Sequence, residues 1–212
     1  MKITSIQQQK KNKKRYSIFL DGEYSFSVSG ETLLKSALKD GMELTENDIK
    51  DISKEETNSL AFESALRLLD FAARSKKELI ERLKRKKIPQ EAIDSALARV
   101  ESAGFINDDK FARDYARNQV LRGKGPIAIR FELKRKGIDA ETITDIMDGI
   151  KESSEDTLES AVQAAERKLK TMKNQPPEVI ARRLTGFLAR RGFAPDTIRT
   201  ILKDIKKDII EE

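Results

Sequence analysis

Leu79-Ile80-Glu81-Arg82-Leu83-Lys84-Arg85-Lys86-Lys87-Ile88 returns fifty residues later as Ile129-Arg130-Phe131-Glu132-Leu133-Lys134-Arg135-Lys136-Gly137-Ile138. A further shift of fifty-five brings Leu184 and Leu188 onto the same apolar positions, and Ala189-Arg190-Arg191-Gly192-Phe193 onto the basic turn. Apolar residues four apart mark the inner face of a helix. Gly137 and Gly192 stand where its end needs a left-handed residue. Internal repetition at this period means a row of similar small units rather than one large core.

The helix after the turn keeps the same register. Ile93, Ala96, Leu97 and Val100 correspond to Ile143, Ile146, Met147 and Ile150, then to Ile198, Ile201, Leu202 and Ile205. That spacing is the stripe of an amphipathic helix, three times over. Glu91, Glu141 and Asp196 occupy its first turn, where the macrodipole favours a carboxylate. The helix before the basic one is looser: Ala61, Phe62, Ala65 and Leu69, then Phe111, Ala112 and Tyr115, then Ala161, Val162, Ala165 and Leu169. The five extra residues of the third copy fall in Lys173–Val179, where Pro176-Pro177 marks a loop. Each unit therefore reads as helix, loop, helix, tight turn, helix.

The first fifty residues differ. Ile3–Gln9, Arg15–Leu20 and Tyr24–Ser29 are runs of β-formers, and Asp21-Gly22 between the last two signals a tight two-residue hairpin. Tyr16, Ile18 and Leu20, and then Tyr24, Phe26 and Val28, are expected on one buried face. A short helix is expected from Gly30 to Leu38 with Gly41 as its terminator, then a helix capped by Thr45 with Asp48 completing a capping box. The expected fold is mainly α: an elongated array of three tandem three-helix bundles, preceded by a small N-terminal three-stranded sheet or hairpin plus helix. The boundaries expected are 1–57 for the β-rich region and 58–107, 108–157 and 158–212 for the three repeats.

Charge accounts for 37% of residues against 38% hydrophobic, with a net charge of +6. This favours thin helical layers with wide solvated faces over a thick core. The absence of Cys and His removes thiolate metal sites, the commonest metal ligand and the commonest general base. No stretch approaches the ~20 apolar residues of a membrane span, so the expected location is the cytoplasm. No phosphate-binding loop, cofactor site or metal site is expected, and nothing supports catalysis. Gly123-Lys124-Gly125-Pro126 either forms a plain interhelical loop or offers backbone amides to an anion. Asn107-Asp108 is read as the cap of a helix.

The cations concentrate on the second helix of each unit and the loop before it. Arg74, Lys76, Lys77, Arg82, Lys84, Arg85, Lys86 and Lys87 stand against only Glu78 and Glu81. Lys110–Lys136 carries nine cations, among them Arg122, Lys124, Arg130, Lys134, Arg135 and Lys136, against Asp114 and Glu132. Arg167–Arg191 includes Lys173, Arg182, Arg183, Arg190 and Arg191 against Glu178. A recurring basic block is the footprint of a polyanionic partner or an acidic protein surface. Helix macrodipoles explain single cations in a last turn, at roughly 0.3–1 kcal/mol each, but not the whole block. Lys10, Lys11, Lys13, Lys14 and Arg15 form a basic hairpin tip, which either touches DNA or only blocks edge pairing. Aromatics are few, so a DNA contact would be to the backbone, salt-sensitive and sequence-tolerant, on single or double strands.

Three stretches resemble the RecX family. Arg74-Ser75-Lys76-Lys77-Glu78-Leu79 looks like its "R-S-x-x-E-L" element, and Gly104-Phe105-Ile106-Asn107-Asp108-Asp109-Lys110-Phe111-Ala112 like its "G-(aromatic)-(aliphatic)-(polar)-D-x-x-(aromatic)-A" element. Gly123–Pro126 with Glu132–Ile138 looks like the family's second-unit element. Lys87 departs from the pattern, standing where glycine is usual, so the first turn is expected to close differently. The resemblance implies a regulator, and because the sequence gives no clear sign of self-association a monomer is expected. It would dock in the groove of the RecA recombinase filament on single-stranded DNA and restrain filament growth, ATP turnover and strand exchange. A stand-alone, sequence-independent DNA-binding protein and a purely protein-binding helical scaffold remain the other readings.

Overall fold

The computed structural model describes the backbone of residues 1–152, 154–172 and 175–211, and their side chains except 151–156 and 206–211. Lys173 of the expected basic block, and the start of the expected Lys173–Val179 loop, lie outside the described residues. The chain divides into two compact halves, Met1–Ile106 and Asn107–Glu212.

In the N-terminal half, β1 (Ile3–Gln8), β2 (Arg15–Leu20) and β3 (Glu23–Ser29) form an antiparallel sheet in the order β1-β2-β3. Asp21 and Gly22 both take positive φ, 49° and 91°, as the two-residue turn requires. Ile18 and Val28 are fully buried and Leu20 nearly so. Tyr24, expected on that inner face, is exposed instead. The reason is a register shift: Ile18 pairs with Phe26 but Phe19 with Tyr24, so Ser25 is an extra residue in β3. Such a bulge moves every side chain beyond it to the other face. Tyr24 accordingly meets the outward Phe19 ring edge-on.

Helix α1 (Gly30–Lys35) is capped by Ser29, and it ends at Ala37 (φ 47°) rather than at Gly41. The Ala37 and Leu38 amides donate back to Leu34 and Leu33, closing the helix with a non-glycine left-handed residue. Thr45 and Asp48 form the expected capping box of α2 (Glu46–Phe71). This helix has 26 residues and runs unbroken across position 57/58. Its first part packs Ile52 into the sheet core with Ile3, Ile18, Leu20, Val28, Leu38 and Leu44. Its second part supplies Ala65 to a bundle with α3 (Lys76–Arg85) and α4 (Gln90–Ser102). One helix thus belongs to two cores.

A buried polar seam fixes this arrangement. Glu56 of α2 accepts from the Ser29 amide at 2.6 Å, and its other oxygen lies 2.9 Å from the Arg15 guanidinium as an ion pair without hydrogen-bond alignment. Thr32 continues the seam to Ser59.

The C-terminal half repeats the bundle twice: α5 (Asp108–Leu121), α6 (Pro126–Arg135) and α7 (Ala140–Glu152), then α8 (Ser154–Leu169), α9 (Pro177–Arg190) and α10 (Pro195–Glu211). Asn107 caps α5, its side chain accepting from the Lys110 amide at 2.8 Å, as the capping reading requires. The three tight turns close identically. Ile88, Ile138 and Phe193 donate to Leu83, Leu133 and Leu188, and Lys87, Gly137 and Gly192 hold φ of 59°, 82° and 85°. The first turn therefore does not close differently. Lys87 adopts the left-handed conformation, with a steric strain glycine would not have.

Repeats 2 and 3 are keyed together at a glycine joint. The Gly125 amide donates to the Arg191 carbonyl at 2.8 Å and the Ile127 amide to the Gly192 carbonyl at 3.0 Å. A Cβ on Gly125 would lie 2.3 Å from the Gly192 carbonyl carbon, and one on Gly192 2.3 Å from the Ala128 nitrogen. These amides are the unpaired donors of the α6 N-terminus. Carbonyls of repeat 3 satisfy them, so the Gly-Pro segment is an interhelical joint rather than an anion site.

Candidate nucleic-acid interface

The middle helix of each bundle has a divided surface. Leu79 and Leu83, Ile129 and Leu133, and Leu184 and Leu188 are all fully buried. One turn apart on a helix, each pair fixes which way the remaining side chains point. On α3 the outward set is Lys77, Glu81, Arg82, Lys84 and Arg85; on α9 it includes Arg182, Arg183 and Arg190. On α6 it is Ile127, Arg130, Phe131, Lys134 and Arg135. Cations in the last turn of all three helices also meet the negative end of the helix dipole.

The expected basic residues fall into two groups. Several hold the fold. The Arg74 Nε donates to the Leu68 carbonyl at 3.0 Å and ends α2. Lys76 pairs with Glu101 at 2.7 Å, joining α3 to α4. Arg191 donates to the Arg122 and Gly123 carbonyls at 2.8 and 2.9 Å, closing the end of α5 from repeat 3. Lys136 lies over the Phe111 and Tyr115 rings, 5.3 and 4.6 Å from their centres, a cation–π arrangement. Arg15 is held by Glu56.

Lys124 belongs to this group through Glu132, to which it donates at 2.5 Å while the Tyr115 hydroxyl donates at 2.8 Å. Burial pushes the Glu132 carboxyl up. The hydrogen bonds from Lys124 and Tyr115 and the nearby charges of Lys124 and Arg135 outweigh it and hold the carboxyl below the ordinary glutamate value.

The second group faces solvent. Arg82, Lys84, Arg85, Lys86, Arg122, Arg130, Lys134, Arg182, Arg183 and Arg190 are exposed and have no carboxylate partner among the described residues. Lys77 and Arg135 are exposed as well, and each takes part in an interaction of its own. Lys10, Lys11, Lys13 and Lys14 are exposed on the β1–β2 turn, which Asn12 shapes by accepting from the Lys14 amide at 3.1 Å. The ten cations without a carboxylate partner among the described residues, and Lys10, Lys11, Lys13 and Lys14, can meet phosphates or carboxylates directly. Among the described residues no cluster of three or more His, Cys, Asp or Glu could hold a metal, and no helix is long and apolar enough to cross a membrane.

The first two of the three sequence elements that carried the family resemblance prove to be structural. Ser75 and Glu78 make a capping box at the start of α3, and Ser75 is fully buried. Gly104 (φ 73°) ends α4 and Asn107 starts α5, so the second element is the link between the two halves. Sequence reasoning did not single out Ile127 and Phe131, apolar residues that α6 leaves 55% and 66% exposed. The signal was available: the positions equivalent to them carry Lys77 and Glu81 in repeat 1, and Arg182 and Gly186 in repeat 3.

These features define a tandem three-helix-repeat protein that presents, on each middle helix, exposed cations without a carboxylate partner among the described residues. The family model of the regulatory protein RecX N-terminal domain matches residues 1–45, and the models of the first, second and third three-helix domains of RecX match residues 61–99, 107–147 and 154–202. The chain is 35% identical over 211 residues to the regulatory protein RecX of Bacillus subtilis, covering 99% of this chain and 79% of that protein. It is 36% identical over 203 residues to that of Bacillus licheniformis, covering 95% and 76%. A crystal structure of regulatory protein RecX superposes with a TM-score of 0.74 at 29% identity, covering 96% of this chain and 98% of that one. The structure of RecX from Lactobacillus salivarius gives a TM-score of 0.60 at 25% identity over 72% and 98%. The chain belongs to the RecX family of regulatory proteins.

Proposed function

We propose that this protein regulates the RecA recombinase by binding within the groove of the RecA filament on single-stranded DNA, limiting filament extension, ATP turnover and strand exchange. The observation that carries this reading is the recurrence, on the middle helices of three linked repeats, of exposed cations such as Arg85, Lys134 and Arg190 that have no carboxylate partner among the described residues. A filament presents the same surface at every subunit, and linked weak contacts reinforce one another through effective concentration. Exposed cations suit phosphates and carboxylates alike, which fits a groove made of both DNA and protein. Binding to DNA alone would be to the backbone and would weaken steeply with salt. The chain acts by binding, not by catalysis.

The test is ATP hydrolysis by a bacterial RecA recombinase on single-stranded DNA, titrated with this protein and with an Arg85→Ala/Lys134→Ala/Arg190→Ala variant. Inhibition that the variant loses supports the reading. Binding of bare DNA without any effect on the recombinase favours a stand-alone DNA-binding protein instead.

A further inference from the structure

The middle helices are alike in their inner faces and differ in their outer ones. On α6 the outward residues Ile127, Arg130, Phe131 and Lys134 follow the i, i+3, i+4, i+7 spacing of a single helix face. Two of the four are large apolar side chains, 55% and 66% exposed. Nothing in the repeat fold asks for them, because the equivalent positions hold Lys77 and Glu81 in repeat 1 and Arg182 and Gly186 in repeat 3.

We infer that the outer face of α6 is a protein-docking face, and that its partner is an apolar pocket fringed by carboxylates on the recombinase itself rather than the DNA. This rests on the functional reading above and assigns the protein half of that contact to one element. Charge complementarity supports it. Arg130 and Lys134 flank the apolar pair without a carboxylate partner among the described residues, and Glu132, the one acid of α6, is turned inward to Lys124 and Tyr115. The face is therefore apolar at its centre and positive at its rim, the anatomy of an interface core that meets an acidic surround.

Nucleic acid fits less well. Ile127 has no ring to stack on a base and nothing to offer a phosphate, whereas apolar burial against protein uses both side chains. The presentation is also rigid. The Ile127 amide is tied to the Gly192 carbonyl at 3.0 Å, and Ala128 is held against Gly192. A face already fixed before binding loses little freedom on docking.

The experiment uses the full chain with the charge-neutral variant Ile127→Ala/Phe131→Ala. Affinity is measured separately for RecA recombinase without DNA and for fluorescent oligothymidine without recombinase. Circular dichroism checks that the variant folds, and Phe131→Leu serves as a second variant that keeps apolar bulk but removes the ring. The expected result is a loss of about 10- to 100-fold in recombinase affinity, as for truncation of interface anchors. DNA affinity should stay within about twofold, with Phe131→Leu close to wild type in both assays. Wild type and double variant binding the recombinase equally well would overturn the docking face while leaving the regulatory reading intact. DNA affinity lost in Phe131→Leu, with recombinase affinity retained, would overturn it in favour of base stacking. Wild type that neither binds nor inhibits the recombinase would remove the functional reading and the assigned partner together.

Discussion

Three glycines separate two costs that usually arrive together. Gly104 has φ of 73° and open space where a Cβ would go, so Gly104→Ala tests left-handed strain alone. Gly125 is not left-handed, but a Cβ there would lie 2.3 Å from the Gly192 carbonyl carbon and oxygen and 2.4 Å from the Phe193 nitrogen. Gly125→Ala therefore tests crowding alone. Gly192 combines φ of 85° with a Cβ 2.3 Å from the Ala128 nitrogen. A non-glycine residue in this conformation costs about 1–2 kcal/mol, offset by about 0.4–1 kcal/mol from the stiffer unfolded chain. Gly104→Ala should cost about 0.5–1 kcal/mol. Crowding against backbone, which cannot swing aside, adds about 1–3 kcal/mol, and each hydrogen bond lost as the joint opens adds about 0.5–1.5 kcal/mol. Gly125→Ala should cost about 2 kcal/mol and Gly192→Ala about 3–4 kcal/mol. Hydrogen exchange across a urea series, read on peptides from α3–α4 and from α6 and α9 separately, gives the stability of each half. Gly192→Ala costing no more than Gly104→Ala would refute the close approach between repeats 2 and 3.

Lys87→Gly should have the opposite sign, stabilising the N-terminal half by about 0.5–1 kcal/mol in urea denaturation, because the left-handed φ of 59° is already in place. Arg15→Ala leaves the Glu56 carboxylate buried against the Ser29 amide without its cation. It should cost about 2–3 kcal/mol in thermal unfolding, less than a fully enclosed pair because the Arg15 side chain is 25% exposed; alanine at Lys10, Lys11, Lys13 and Lys14 should leave the melt unchanged. Glu132 has a folded pKa below its unfolded one, so its stabilisation is complete above the ordinary glutamate range and fades as pH falls through the lowered value. Wild type should lose more stability in the C-terminal half than Glu132→Gln between neutral pH and that acid window, and parallel pH profiles would contradict the assignment.

Much of the fold was legible because it rests on local, periodic signals. Leu79 and Leu83 and their counterparts lie four apart, Thr45 and Asp48 three apart, and Asp21-Gly22 are adjacent, so each pattern is complete within a few residues. The Ser25 bulge was not legible, because an inserted strand residue looks like any other until pairing is known. Ala37 and Lys87 hide left-handed positions behind ordinary side chains. The site was half legible. The sequence reveals where cations cluster, but Arg191, which reaches carbonyls near Gly123, reads the same as Arg190, which faces solvent. Distinguishing them needs the joint between Gly125 and Gly192, which lie far apart in the chain. Ile127 and Phe131 were visible only on comparing the outer positions of the repeats, where a departure means more than a match.

The glycine joint also changes how the C-terminal half comes apart. In a string of bundles tied only by linkers, each bead melts at its own temperature. Here two amides of one bundle end on carbonyls of the next, which adds a nearest-neighbour coupling of the kind that makes repeat arrays cooperative. Fraying of repeat 3 would uncover the start of α6, so the two bundles should open as one foldon, with the Gly125 and Ile127 amides exchanging at its pace rather than at that of a loop. A partner that grips either bundle therefore steadies both.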